Sequence, residues 1–243
     1  MEGKINKMTD ELKGRSNELI TREHPKSPVA EAYRSIRTSL KYLSPDKPLK
    51  SIMVTSSGAG EGKSFIISNL AVAMAQNDNK IIIIDADLRK PMQHRFYDMT
   101  NFEGLSSVLT GEISFTEAKR ETNIDNIQLI STGVIPPNPA ELLDSKKMQE
   151  VINKAKEEAD IVLIDSPPII PVTDAMLLSK SVDGVLLVVA SHETEREMLV
   201  KAKEQLDRVD ANILGTVLNK YPTDQKGKYY NQYYYYYSSD QST

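Results

Sequence analysis

From Ser51 onward, short apolar runs alternate with longer stretches in which apolar residues return every three or four positions. The runs are SIMVT (51–55), KIIIID (80–85), IQLIS (127–131), ADIVLID (159–165), DGVLLVVA (183–190) and ILGTVLN (213–219). Most are continuously apolar and rich in β-branched residues or leucine, which suits strands buried on both faces of a parallel sheet. Helical stretches, for instance 63–77, 139–157 and 193–209, separate most of them. The pattern predicts an α/β fold, a doubly wound and mainly parallel sheet with right-handed crossovers. Ligands in that architecture bind at the carboxyl ends of the strands.

Ahead of this core, Ser27 and Pro28 read as an N-cap followed by proline at the first helical position. Tyr33, Ile36, Leu40 and Leu43 then give one apolar face, predicting a helix over 27–43. Glu31, Arg34 and Arg37 share a neighbouring face, a pattern that solvated charges also produce. Residues 1–25 are polar and mixed in charge, and are expected to form a mobile arm or at most a marginal helix. The stretch 91–126 has no clear period and stays unassigned. The folded domain is expected over 26–220, with a loop-like or disordered tail over 221–243.

Composition narrows the class. With 243 residues, 40% hydrophobic and 26% charged, the chain is a soluble globular protein large enough for a real core. A net charge of −4 argues against nucleic acid as a partner. The absence of cysteine excludes disulfides and thiol chemistry. No apolar stretch approaches the roughly 18 residues of a membrane span, and the N-terminus lacks a signal-peptide core. A cytoplasmic protein is expected, and work at a membrane would require a partner to hold it there.

The chemistry concentrates at the ends of the runs. After the first comes Ser56-Ser57-Gly58-Ala59-Gly60-Glu61-Gly62-Lys63-Ser64, opening a helix. Glycines let backbone N–H groups turn inward around phosphate oxygens, and the helix N-terminus favours the same charge. Lys63 is placed to reach the β- and γ-phosphates and the Ser64 hydroxyl to ligate Mg²⁺. The strict P-loop pattern has glycine where this chain has Ser57. Two further runs end in acids, Asp85-Ala86-Asp87 and Asp165-Ser166-Pro167-Pro168. A lone aspartate at a strand end is often only a turn former. Three beside a P-loop suit Mg²⁺, a cation that takes oxygen ligands.

Seven of the eleven tyrosines lie within nine residues, at Tyr229, Tyr230, Tyr233, Tyr234, Tyr235, Tyr236 and Tyr237. A packed core does not need such a run, and disordered segments are ordinarily poor in aromatics. It is either a sticky low-complexity end or a set of phenolic hydroxyls with a use.

Together, the P-loop over Ser57–Ser64, the hydrophobic-Asp-x-Asp-x-Arg motif over Ile83–Arg89, the hydrophobic-Asp-x-Pro-Pro motif over Leu163–Pro168 and the tyrosine run resemble the bacterial tyrosine kinases (BY-kinases). The resemblance is to the capsular and exopolysaccharide type in its split cytoplasmic form. Arg89-Lys90-Pro91 and the segment from Pro136 to Leu142 are similar as well. The resemblance implies a P-loop NTPase-like fold using ATP and Mg²⁺, with Lys63, Asp85, Asp87 and Asp165 as catalytic residues. Ser57, Gly58, Ala59, Gly60, Glu61, Gly62, Lys63 and Ser64 would bind nucleotide; Asn219, by its position after the last strand alone, is expected near the adenine. Ser64, Asp85, Asp87 and Asp165 would hold the metal, and Asp85 or Asp87 would accept the tyrosine proton. Glu31, Arg34 and Arg37 would serve a ring-shaped homo-oligomer in which each tail is phosphorylated by a neighbour. A membrane-embedded co-polymerase would activate the enzyme through its cytoplasmic segment and recruit it to the inner face of the plasma membrane. Other substrates would be proteins of polysaccharide synthesis.

Phe65 departs from the small hydroxyl residue usual after Ser64, and lower nucleotide affinity or a shifted helix start is expected. One alternative is a P-loop ATPase switch of the partitioning and division-positioning kind. Such proteins carry a second lysine five residues before the P-loop lysine, where this chain has Gly58. Another is a nucleotide-gated scaffold with a docking tail.

Overall fold

The computed structural model describes residues 18–43 and 48–222. The tyrosine run and residues 1–17 of the expected arm lie outside them. A single turn, α1 (Ile20–Glu23), and helix α2 (Pro28–Leu43) precede strand β1 (Ser51–Ser56). Then follow α3 (Lys63–Ala75), β2 (Ile81–Asp85), α4 (Gln93–Phe96), α5 (Leu105–Thr110), α6 (Phe115–Ala118), β3 (Lys119–Glu121) and β4 (Ile127–Ile130). The chain continues through α7 (Pro139–Leu143), α8 (Lys146–Glu158), β5 (Ile161–Asp165), α9 (Asp174–Ser179), β6 (Gly184–Ala190), α10 (Arg196–Asp207) and β7 (Ile213–Asn219).

The strands form one sheet in the order β3-β4-β2-β5-β1-β6-β7. All neighbours are parallel except β3 and β4. The four isoleucines of β2 show why the sheet needs cover on both sides. Side chains alternate between faces along a strand. Ile81 and Ile83 pack with Ile66, Ile67, Leu70 and Met74 of α3, while Ile82 and Ile84 pack with Met148, Val151 and Ile152 of α8. Each of the four is at most 1% exposed.

The expected Ser27 cap is present, its hydroxyl accepting the Ala30 N–H at 3.1 Å. On the apolar face of α2, Tyr33 and Leu40 are buried, whereas Leu43 is 52% exposed. The helix expected over 139–157 is two helices, α7 and α8. Ser145 starts the second by accepting the Met148 N–H at 3.2 Å, and a new cap closes one helix and opens another. Strand β3 lay hidden in the unassigned stretch because Lys-Arg-Glu has no apolar period; it is an edge strand, where charge discourages further pairing.

The last residues of the expected arm or marginal helix include the single turn α1 and are seated on the fold. Leu19 and Ile20 are buried, Leu19 within the core on the α3 side of the sheet, and the Thr21 N–H donates to Asn69 Oδ1 at 3.0 Å. Gln76 Nε2 donates back to the Thr21 carbonyl at 3.2 Å. Two apolar residues and two hydrogen bonds to α3 seat the segment without any long period. Among the described residues, no helix is long and apolar enough to cross a membrane.

Ile83 is fully buried, so Ile83→Ala is expected to cost about 2–5 kcal/mol through lost transfer energy and a residual cavity. Leu43→Ala, at a half-exposed position, is expected to cost under about 0.5 kcal/mol. Urea denaturation of both variants reads the difference, and equal losses would contradict this core.

Candidate active site

The register of the central strands places the acids. Asp85, the last residue of β2, is the register partner of Asp165, the last residue of β5. Neighbouring parallel strands lie about 4.8 Å apart, so the two carboxylates emerge side by side from one sheet edge. Asp87 follows where β2 becomes a loop, and that turn brings it round to the P-loop. Lys63 Nζ lies 2.8 Å from Asp87 Oδ2 and 3.6 Å from Asp165 Oδ1. All three acids are buried, and Asp85 and Asp165 are wholly enclosed.

Electrostatics follow from that enclosure. Burial would lower the pKa of the Lys63 ammonium, but Asp165 and Asp87 outweigh it and hold the pKa above its ordinary value. Burial raises Asp85 well above the carboxylate range, with the neighbouring charge of Asp165 adding to it and the Gln93 N–H opposing it. Burial raises Asp165 too, against the pull of Lys63 and hydrogen bonds from Ser64 and Gln93. One ammonium faces three carboxylates, and the site is short of positive charge.

The loop between β1 and α3 is held from behind. The Ser57 hydroxyl donates to Glu61 Oε1, which also accepts the Gly58 N–H at 2.6 Å. A serine in place of the usual first glycine is therefore matched by an acid four residues on, and the pair braces the loop. Ala59 and Gly60 form its exposed crown. Gly62 has φ +94°, in the left-handed region, and a Cβ there would lie 2.1 Å from Asn219 Nδ2. Only glycine fits, since Asn219 donates to the Glu61 carbonyl at 2.9 Å and so ties β7 to the loop. Helix α3 begins at Lys63, and Phe65 packs against Phe96 of α4 with ring centroids 6.3 Å apart.

The residues present fit a divalent cation. Asp85 Oδ1 and Asp165 Oδ1 are buried oxygens with no hydrogen-bond partner. They belong to the hard-oxygen donor class that Mg²⁺ takes, and the Ser64 hydroxyl stands close enough to Asp165 to favour its charged form.

Comparison with known proteins agrees with this geometry. Residues 48–236 match the ParA family, described as NUBPL iron-transfer P-loop NTPase. The chain is 42% identical over 211 residues to the tyrosine-protein kinase YwqD of Bacillus subtilis (strain 168), covering 87% of this chain and 89% of the relative. It is 35% identical over 215 residues to the putative tyrosine-protein kinase CapB of Staphylococcus aureus, covering 88% and 94%. Among solved structures it is similar to the chimerical protein CapA2B2, 40% identical with a TM-score of 0.81, over 84% of this chain and 90% of that one. The chain belongs to the bacterial tyrosine kinases. Within the wider P-loop NTPase family it is a nucleotide- and Mg²⁺-binding enzyme, and Gly58 marks it off from the partitioning ATPases.

The kinase brings together Lys63, Ser64, Asp85, Asp87 and Asp165, with the loop residues Ser57 to Gly62 and Asn219 around them. Glu31, Arg34 and Arg37 lie apart, on α2. Arg34 pairs with Glu31 at 2.8 Å, and Arg37 donates to the Ala73 carbonyl in the last turn of α3 at 2.7 Å. The sequence reading missed Gln93, which is fully buried. Its Nε2 donates to Asp165 Oδ2 at 2.7 Å and to the Ser64 carbonyl at 3.2 Å, and its Oε1 accepts from Ser68 Oγ at 2.7 Å. Its N–H, with that of Met92, holds Asp85 Oδ2 at 2.9 and 3.1 Å. Gln93 falls in the stretch without a period, and nothing in its neighbourhood marks it.

A raised carboxyl takes up protons at higher pH than an ordinary one, so protons compete with the metal for the Asp85 carboxylate as pH falls. Titrating Mg²⁺ into the ADP-bound kinase in buffers of different ionisation enthalpy is expected to show proton release, reduced in Asp85→Asn. Equal release from both proteins would contradict the protonation of Asp85.

Proposed function

We propose that the kinase transfers the γ-phosphoryl group of ATP to tyrosines of its own C-terminal run, Tyr229 to Tyr237, and to proteins of polysaccharide synthesis. The observation that carries this reading is Lys63 held at the tips of β2 and β5 by Asp87 and Asp165, beside Asp85 Oδ1, a buried oxygen with no hydrogen-bond partner. Phosphoryl transfer asks a protein mainly for positioning and charge neutralisation. Lys63 and the amides of the 57–64 loop would hold the phosphates. Ser64, Asp85, Asp87 and Asp165 would hold Mg²⁺ directly or through water, and the metal would neutralise the charge that develops on the transferred group. When Lys63 turns to the phosphates, Asp87 Oδ2 loses its ammonium partner and becomes available to the site. A tyrosine hydroxyl, of pKa about 10, is helped by a carboxylate that accepts its proton, and Asp85 and Asp87 are the two candidates.

Glu31, Arg34 and Arg37 would contact a neighbouring subunit in a ring, feeding each tail to the next active site. Arginine suits such a contact because its planar fork bonds carboxylates bidentately. Each phosphate adds about −1.5 to −2 charges, so a modified run would repel itself and loosen the ring. A membrane-embedded co-polymerase, acting through its cytoplasmic segment, would activate the kinase at the inner face of the plasma membrane. The resemblance to the split form supports this.

The test is purified protein incubated with ATP and Mg²⁺, followed by mapping of phosphotyrosine by mass spectrometry. Modification of the run is expected in the wild type and its loss in Lys63→Ala; retained modification would refute the site. The ring is tested by light scattering. Arg37→Ala is expected to give smaller particles, as is full phosphorylation, and unchanged size in both would end that part of the reading.

A further inference from the structure

Asp174 is fully buried at the first position of α9, and no motif points to it. Its two oxygens accept a fork from Arg89, Nε to Oδ2 at 2.9 Å and Nη2 to Oδ1 at 3.0 Å. Such a two-bond pair fixes direction as well as distance, which a single ammonium cannot do. Arg89 lies two residues after Asp87, and the turn between them closes on the Asp87 carboxylate. Asp87 Oδ1 accepts the Lys90 N–H at 2.9 Å and the Arg89 N–H at 3.3 Å. The other oxygen of Asp87 is thereby left to face Lys63 Nζ, at 2.8 Å.

Asp174 also ends the segment that starts at Asp165. On the way, the Ile169 N–H donates to the Ser56 carbonyl at 2.9 Å, which pins the segment beneath the P-loop. The Arg89–Asp174 pair therefore joins the loop after β2 to the segment after β5, the two pieces of chain that carry the site's acids.

We infer that Asp174 is a positioning residue for the metal side of the active site: through Arg89 it sets the turn that keeps one Asp87 oxygen on backbone amides and the other facing Lys63 and the site. This rests on the reading of Asp87 as a group that serves Mg²⁺. Partners that orient a metal-binding group without touching the metal matter nearly as much as the group itself, and their loss typically costs about 10–100-fold in metal affinity or activity.

The test separates metal linkage from simple loosening of the fold. Binding of a fluorescent ADP analogue to the full chain is measured with and without Mg²⁺, and the ratio of the two affinities is the readout. In Asp174→Asn the Mg²⁺-dependent gain is expected to fall about tenfold, with Mg²⁺-free affinity within about twofold of the wild type. Parallel loss of both affinities, or no change in either, would overturn the inference. Should Asp174→Asn fail to fold, Arg89→Lys is measured in its place. Its side chain is 39% exposed and keeps its charge but loses the fork, and the same selective fall is expected. Asp87→Asn provides the control for the underlying reading. If it abolishes the gain and the Asp174 and Arg89 variants do not, the positioning role alone fails. If Asp87→Asn leaves the gain intact, the metal reading of Asp87 fails and the inference falls with it.

Discussion

Three carboxylates gathered around one lysine at the end of a buried sheet are the constraint on which the rest of the structure depends. Taking an ion out of water costs several kcal/mol even after relaxation, so such a cluster persists only where partners surround it. Lys63 neutralises part of the charge, and burial pushes the Asp85 carboxyl toward its neutral form. What is left is a standing demand for a cation. The kinase meets its own structural problem incompletely, and that deficit is what suits the site to Mg²⁺ and a nucleotide.

Much of the surrounding architecture serves to keep those charges apart and aligned. Ile81 to Ile84 hold β2 rigid between two layers of helices, so that Asp85 ends opposite Asp165. Gln93 spends every polar atom of its side chain on the site, joining Asp165, the Ser64 carbonyl and Ser68. Phe65 fits this arrangement as packing. Its ring against Phe96 seats α4, and α4 carries Gln93. The interior of the helix behind the P-loop is tied in turn to the N-terminal segment through Asn69 and to α2 through Arg37.

What could be read in advance divides by range. The six long strands, the helix after the P-loop and the cap at Ser27 were legible because each depends on neighbours a few residues away. The P-loop was legible because its glycines answer to backbone angles and close approach, and Gly62 shows both at once. The split between α7 and α8 was not, because the apolar period of 139–157 runs through the break and only the Ser145 cap interrupts it. The burial of residues 18–21 was not legible for a related reason, since two buried apolar residues make no period.

By itself the sequence determined six of the seven described strands, where the phosphate loop and its acids lie, and the family these place the chain in. Those features are written in local backbone preference and alternation, which survive without tertiary contact. Only the tertiary structure decided that Gln93 reaches Asp165 across 72 positions and that Arg89 reaches Asp174 across 85. The reason is physical. Strand order and register bring distant residues to one sheet edge, and a side chain's partner there is set by that meeting rather than by anything in its own neighbourhood along the chain.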